Sequence, residues 1–227
     1  DMDDSLIAVT ITGDLIVGDA GWGKIKAEIN EALFEAANLI VGKAAGLPGQ
    51  DGGNVNFEEF GDSELNIAGN STIGGLSRGG ISLNGGSWSN GGAVVVGDAA
   101  DGNISLDYAA TSGDSLTLGN TLAGHGEAYA SGGSLNITNG MLVGNVGSAF
   151  MGLSDDAIAT SGWTSVAQAS TSAATLNVFS GATLVTGNLF VAYQGEGLLN
   201  VSDGGAVSAA KLDVATGGGK GDVIVTG

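Results

Sequence analysis

His125 is the residue in this sequence best suited to acid–base chemistry, and Glu127 follows it two positions later. An imidazole beside a carboxylate is typical of an acid–base pair or of a metal ligand set. His125 is, however, the only histidine, and the sequence contains no cysteine. A Ser-His-Asp triad would therefore depend on this one residue. We predict instead a solvated loop histidine and assign no catalytic residue.

Paired acidic residues are the second candidates for chemistry. Enzymes that cleave polysaccharides use two carboxylates, and calcium is bound by clustered oxygen ligands. Here the acidic residues are scattered, and aromatic residues make up only 5% of the chain. The pattern favours solvated acids in turns. A carbohydrate-binding or carbohydrate-cleaving groove stays as the alternative hypothesis. The pairs in question are Asp98 and Asp101, Asp155 and Asp156, and Glu58 and Glu59.

A glycine-rich segment near the C-terminal end approaches the calcium motif Gly-Gly-x-Gly-x-Asp of repeat proteins. In Gly217–Asp222 one glycine is displaced and Lys220 stands within the loop. The segment from Asp98 to Asn103 has too few oxygen ligands for an EF-hand. We therefore predict no cofactor and identify no metal site. The acidity of the chain leaves calcium or other divalent cations as candidate partners.

Charge excludes one class of partner. The sequence has 6 Lys and Arg against 24 Asp and Glu, a formal net charge of −18. Nucleic-acid binding depends on clustered Lys and Arg, so we predict no nucleic-acid partner. No apolar run approaches the roughly 20 residues of a transmembrane helix, so we predict no membrane insertion of this segment. The opening Asp1-Met2-Asp3 is consistent either with a processed polypeptide or with a trimmed boundary.

The elements that must position these residues are repeats. A first-strand theme of alternating apolar residues recurs as Ile81-Ser82-Leu83, Ile104-Ser105-Leu106 and Leu199-Asn200-Val201, and a second-strand theme as Leu15-Ile16-Val17 and Leu212-Asp213-Val214. Period-2 alternation predicts strands. Successive first strands are 23 or 24 residues apart, the period of a solenoid. With 43 glycines available for corners, the sequence predicts an all-β parallel β-helix with two short strands per repeat.

Two parts of the chain interrupt this pattern. Between Lys24 and Leu39 the apolar residues lie near helical spacing, but the repeat register favours two strands. Three segments lack the repeat and are predicted to be flank loops, where binding usually resides. We therefore predict one β-solenoid domain over residues 1–227, with insertions near 43–54, 120–134 and 153–174.

The segment from Gly197 to Ser208 combines a glycine, an alternating Leu-x-Val strand, a serine and a Gly-Gly pair before a second strand. It resembles the repeat of autotransporter (type V secretion) passengers and PEP-CTERM-associated proteins. The resemblance is good over residues 174–227 and loose between 42 and 80. It implies a right-handed parallel β-helix, bacterial export and a location outside the cell or on its surface. It implies no single activity, because members of these families differ.

The ends of the repeat array suggest assembly. The first repeat opens on a second strand and the last closes on a first strand, so a head-to-tail neighbour would complete a rung. We predict an extracellular structural or adhesive solenoid that forms a homopolymer or joins other surface or matrix components, with polysaccharide as a further candidate partner. A passenger scaffold that displays the 153–174 loop is the other alternative. The predicted interface comprises Leu6, Val9, Ile11, Leu15, Val17, Leu212, Val214, Val223, Ile224 and Val225.

Overall fold

The computed structural model describes residues 7–27, 31–44 and 52–227, and these contain nineteen β-strands and no helix. The strands are β1 (Ile7–Val17), β2 (Trp22–Ala27), β3 (Ala32–Val41), β4 (Gly52–Ile67), β5 (Ser71–Ile73), β6 (Gly79–Asn90), β7 (Ala93–Val96), β8 (Asp101–Asp107), β9 (Ala110–Gly113), β10 (Ser115–Leu118), β11 (His125–Ser131), β12 (Ser134–Val143), β13 (Ser148–Ser154), β14 (Ile158–Val166), β15 (Ala173–Val178), β16 (Thr183–Val191), β17 (Glu196–Val201), β18 (Ala206–Val214) and β19 (Lys220–Val225).

Every pairing between these strands is parallel and joins one coil to the next. The fold is a β-solenoid of about nine coils. Each coil contributes to three ladders. Ladder 1 joins β2, β4, β6, β8, β11, β13, β15, β17 and β19. Ladder 2 joins β1, β3, β4, β6, β9, β12, β14, β16 and β18. Ladder 3 joins the later parts of β1, β3, β12, β14, β16 and β18 with β5, β7 and β10. The β1–β3 and β12–β14 pairings have a register shift where they pass from ladder 2 to ladder 3.

The core is a set of apolar stacks inside the coils. Along ladder 1, Ile104, Met151 and Leu176 occupy the same register column and are fully buried. Along ladder 3, Leu116 and Leu189 likewise share one register column and are fully buried. Alternate side chains of a strand point to opposite faces, so each coil covers the apolar residues of the coil below it. Stability therefore comes from contacts between neighbouring coils.

The corner from ladder 3 to ladder 1 requires a left-handed backbone in every coil. Glycine occupies it at Gly97, where φ is 71°, and at the equivalent position of the five other early coils. The last three coils place alanine there instead, for example Ala192 at φ 58°. Glycine adopts this conformation without a steric penalty, which explains why the repeat is rich in it.

The prediction of an all-β parallel solenoid is confirmed, and so is the interpretation of residues 24–39 as strands. Those residues form the end of β2 and most of β3, apart from 28–30, which lie outside the described part. The prediction of two strands per repeat is confirmed in number, since nineteen strands form about nine coils, but several strands bend and contribute to two ladders each, so a coil has three sides. Leu65-Asn66-Ile67 and Leu135-Asn136-Ile137, for example, lie in ladder 2.

The prediction of an inserted loop near 120–134 is wrong. Residues 125–131 form β11, which pairs with β8 and β13 without a register shift. The inward positions of β11 are Gly126, Ala128 and Ala130. Small side chains there remove the Leu-x-Val alternation from the sequence. Met151 lies next to Ala128 in the column and is fully buried beside it.

The prediction of an inserted loop near 153–174 is also wrong. Residues 158–166 form β14, which continues ladders 2 and 3. Beside the buried Ala159 and Val166, two of its buried positions carry hydroxyl groups, at Thr164 and Ser165. Thr164 Oγ1 lies 2.8 Å from Ser161 Oγ and 3.2 Å from Thr186 Oγ1, and Thr164 is completely buried. A polar group is tolerated in a core when it is hydrogen-bonded. A strand with such residues lacks the apolar alternation from which strands are predicted.

The third predicted loop, near 43–54, falls largely on residues 45–51, which lie outside the described part of the chain. Gly52 already belongs to β4 and pairs with Trp22. In the described residues, no helix is long and apolar enough to cross a membrane.

Candidate functional site

The N-terminal edge of the solenoid consists of β1 and β2. Within the described residues, β1 pairs only with β3 and β2 only with β4, so the outer side of each strand is free of a pairing strand. Ile7, Val9, Ile16 and Trp22 are exposed there. An open strand edge with apolar side chains is a template for another strand.

The C-terminal edge consists of β18 and β19, which pair only with β16 and β17 in the described residues. Leu212 is 48% exposed, whereas Leu189 directly beneath it in the same column is 1% exposed. The two leucines differ only in whether a further coil lies above them. The exposed apolar residues of this edge are therefore core positions without a cover: Leu212, Val214, Val223 and Val225.

The predicted interface residues divide into five groups. Val9, Leu212, Val214, Val223 and Val225 lie at the open edges and are exposed, and Ile11 and Leu15 are partly buried against the core. Val17 is only 4% exposed, so it offers little surface. The side chain of Ile224 points to the outer face of the coil, opposite to the side chains of Val223 and Val225. Leu6 lies outside the described residues. Sequence reasoning missed Trp22, whose 67% exposure depends on its place in the outermost coil.

An open groove of about 460 Å³ runs along the outer face of ladder 1, across the first five coils. Two of its lining residues, Gly52 and Gly80, occupy outward positions and have no side chain, which leaves room between the polar residues. Trp22 stands at one end, and His125 with Glu127 at the other. The sequence did not reveal this groove, because its residues come from strands far apart in the chain.

The polar side chains of the groove bond mainly to one another. Arg78 Nε lies 3.2 Å from an Asp101 carboxylate oxygen. Asn103 donates to Glu127 over 3.4 Å. Burial and the nearby Glu127 carboxylate raise the pKa of Tyr129, which lies beside this group in β11. The groove is thus polar, and its charges are largely compensated.

His125 lies on a strand, which corrects the prediction of a solvated loop residue. Its Nδ1 lies 2.7 Å from Ser148 Oγ, and its Nε2 lies 3.0 Å from Glu127 Oε1. This order of groups is that of a hydroxyl nucleophile, a base and an orienting acid. Acyl transfer also needs donors aimed at an oxyanion. The backbone amide of Gly147, beside Ser148, already donates to Gly119 O. We therefore assign no reaction to this set.

Three aromatic residues gather on the outer face of ladder 3. Trp163, Phe190 and Tyr193 line a depression of about 340 Å³, and the rings of Phe190 and Tyr193 meet edge to face at 6.5 Å. Trp163 lies on β14, not in a display loop, and its indole covers Gly140, where any Cβ would collide with it. The cluster covers the junction of three coils.

The acidic residues are distributed over separate corners. Asp98 accepts a hydrogen bond from Asn120, which in turn accepts one from Asn145. Asp155 accepts one from Ser131. Among the residues that the structure describes, no three His, Asp or Glu side chains come together as a metal-ion site. The candidate calcium segment 217–222 instead opens β19.

Comparison with known proteins adds no relative: no protein-family model, curated protein or solved structure matches the chain. The resemblance to autotransporter passengers and PEP-CTERM-associated proteins therefore stays a prediction.

Proposed function

We propose that this chain is a non-enzymatic, extracellular structural or adhesive β-solenoid whose copies stack head to tail into a surface or matrix filament. One observation carries the proposal. Both ends of the described solenoid present unpaired parallel strands, and their inward side chains continue the apolar columns of the core. The partner that fits is a second copy of the chain, with other surface components as further partners.

The geometry of such a contact leads to a filament. The N-terminal and C-terminal edges are different surfaces, so their contact is heterologous. A heterologous contact along the solenoid axis does not close on itself, and each added copy presents a fresh edge. The strong negative charge favours dispersal of the sides of the filament. The extracellular location rests on the resemblance of the repeat.

Val214→Asp should weaken self-association by at least about tenfold, because a carboxylate placed between stacked coils loses its hydration. Val214 is 40% exposed at the C-terminal edge and lies above the buried Val191. Sedimentation velocity over a range of protein concentrations measures the effect.

Val185→Asp is the matched control. Val185 is 42% exposed, but it points outward from an inner coil in β16. The control should associate like the unmodified chain, and both variants should keep the circular dichroism spectrum of a β-protein. A monomeric unmodified chain at high concentration, or equal effects of the two variants, would contradict the proposal.

The groove on ladder 1 favours a second candidate function, the binding of a neutral oligosaccharide. The exposed Trp22 offers an apolar face to a sugar ring, and Asn54, Asn103, Asp101 and Arg78 supply hydrogen-bonding groups along the groove. The excess of carboxylates on the chain disfavours anionic polymers.

Trp22→Ala should weaken the binding of neutral oligosaccharides by at least about tenfold in affinity, because the indole supplies most of the apolar contact. Isothermal titration calorimetry with a panel of neutral and acidic oligosaccharides measures it. Trp163→Ala, on another face, is the control and should bind as the unmodified chain does. Absence of heat with every sugar, or an equal loss in both variants, would contradict this function.

A further inference from the structure

We propose that copies join in one defined register, in which Lys211 faces Asp14 of the next copy and Asp222 faces Lys24 of the next copy. This inference rests on the proposed head-to-tail assembly and adds its specific contacts.

The register follows from the ladders. In ladder 3, Leu212 lies in the same column as Leu39 through consecutive pairings, and Leu15 pairs with Leu39. A further coil in the same register therefore places Leu15 of the next copy above Leu212. The residues just before them, Asp14 and Lys211, then stand opposite each other on the outer face.

Ladder 1 gives the second pair independently. Lys24 pairs with Asn54, and the column continues without a register shift at these positions to Leu198 and Asp222. A β2 strand stacked on β19 thus brings Lys24 opposite Asp222. Directly opposed opposite charges stabilise a strand pair, and like charges destabilise it.

The inward columns match in the same register. Val207 meets Val9, Leu212 meets Leu15, and Val223 meets Ile25 of the next copy. A slip by one residue would turn these apolar side chains to the surface, so a shifted register is disfavoured. At the corner, Gly221 meets Gly23, and Lys220 meets the exposed Trp22, which suits a cation–π contact.

The distribution of positive charge supports a role for the edges. Of the 6 Lys and Arg residues in the chain, Lys24, Lys26, Lys211 and Lys220 lie on the strands of the two edges. Lys211 already lies 2.7 Å from Asp213, so in the junction it would lie between two carboxylates. Lysine on an open edge has a second known use, which is to prevent strands from pairing. For Lys24→Asp the two uses predict opposite effects: weaker association if Lys24 faces Asp222, and stronger association if the lysine prevents pairing.

Charge reversal distinguishes them. Asp222→Lys and Lys24→Asp, each alone, place like charges opposite each other and should weaken self-association about tenfold, and the double variant should restore it to within about threefold. The readout is the association constant from sedimentation velocity. In 0.5 M NaCl the differences should shrink, because the Debye length is then only about 4 Å. Asp62→Lys changes the net charge as Asp222→Lys does, but on β4, and serves as the control.

The outcomes separate the register from the assembly. Weakening by each single variant with recovery in the double variant supports the register. The register is wrong, while head-to-tail assembly stands, if the unmodified chain associates and any of three results is found. The single variants associate as the unmodified chain does, the single variants associate more strongly, or the double variant does not recover. If the unmodified chain does not associate at any concentration, both proposals fail.

Discussion

Leu189→Ala should lower the free energy of unfolding by about 3 kcal/mol, whereas Leu212→Ala, one coil later in the same column, should cost less than about 1 kcal/mol in the monomer. Leu189 is buried between Thr164 and Leu212, and its truncation leaves a cavity between coils. Leu212 has a coil on one side only. Urea unfolding followed by circular dichroism, at a protein concentration that keeps the chain monomeric, measures both values.

Leu212→Ala also tests whether the C-terminal edge is open in the monomer and covered in the assembly. At concentrations that allow stacking, Leu212→Ala should reduce association although it hardly alters the monomer, because its side chain is then covered by the next copy. Equal losses of stability for the two variants in the monomer would mean that Leu212 is already covered, and would contradict the open C-terminal edge.

Gly102→Ala should destabilise the solenoid by about 3 kcal/mol, the upper range for overpacking a site that cannot relax. A Cβ at Gly102 would meet the backbone nitrogen of Gly97 and would lie 2.5 Å from Ile73 O. Both contacts are with backbone atoms, of Gly97 in the adjoining corner and of Ile73 in the preceding coil, so no side-chain rotation relieves them. The free energy of unfolding in urea is again the measurement.

Gly21→Ala is the matched control, since a Cβ there meets no atom within 4 Å and its backbone is not left-handed. It should change stability by no more than about 0.5 kcal/mol. Gly126→Ala, in the same column as Gly102 and also close to backbone atoms, should behave like Gly102→Ala. If the two column variants matched the control, the close approach of the corner to ladder 1 would be contradicted.

The fold was largely predictable because its signals are local. The alternation in Leu199-Asn200-Val201 and its recurrence every 23 or 24 residues predict strands that stack in coils. This prediction needs no knowledge of which residues are in contact. The prediction failed where the interior is filled by something other than aliphatic residues. Ala128 in β11 and Thr164 in β14 are buried in the core as the leucines are, yet neither produces an apolar alternation of the Leu-x-Val kind.

The candidate sites were predictable only in part. Leu212, Val214, Val223 and Val225 are exposed at the C-terminal edge, and their role in an interface stays a prediction. The groove between Trp22 and His125 was not foreseen, and neither was the contact of His125 with Ser148. These depend on which residues share a column, and one residue more or less in a corner would change every such pairing.

The sequence by itself determined that this chain is a parallel β-solenoid, that its surface is acidic and that its apolar residues belong inside the coils. Those properties reside in the order of neighbouring residues and in the repeat length. Only the tertiary structure decided that each coil has three ladders, that Lys24 and Asp222 share a column, and that Leu212 is exposed while Leu189 is not. The physical reason is that register and cover are relations between coils, and they exist only once the coils are stacked.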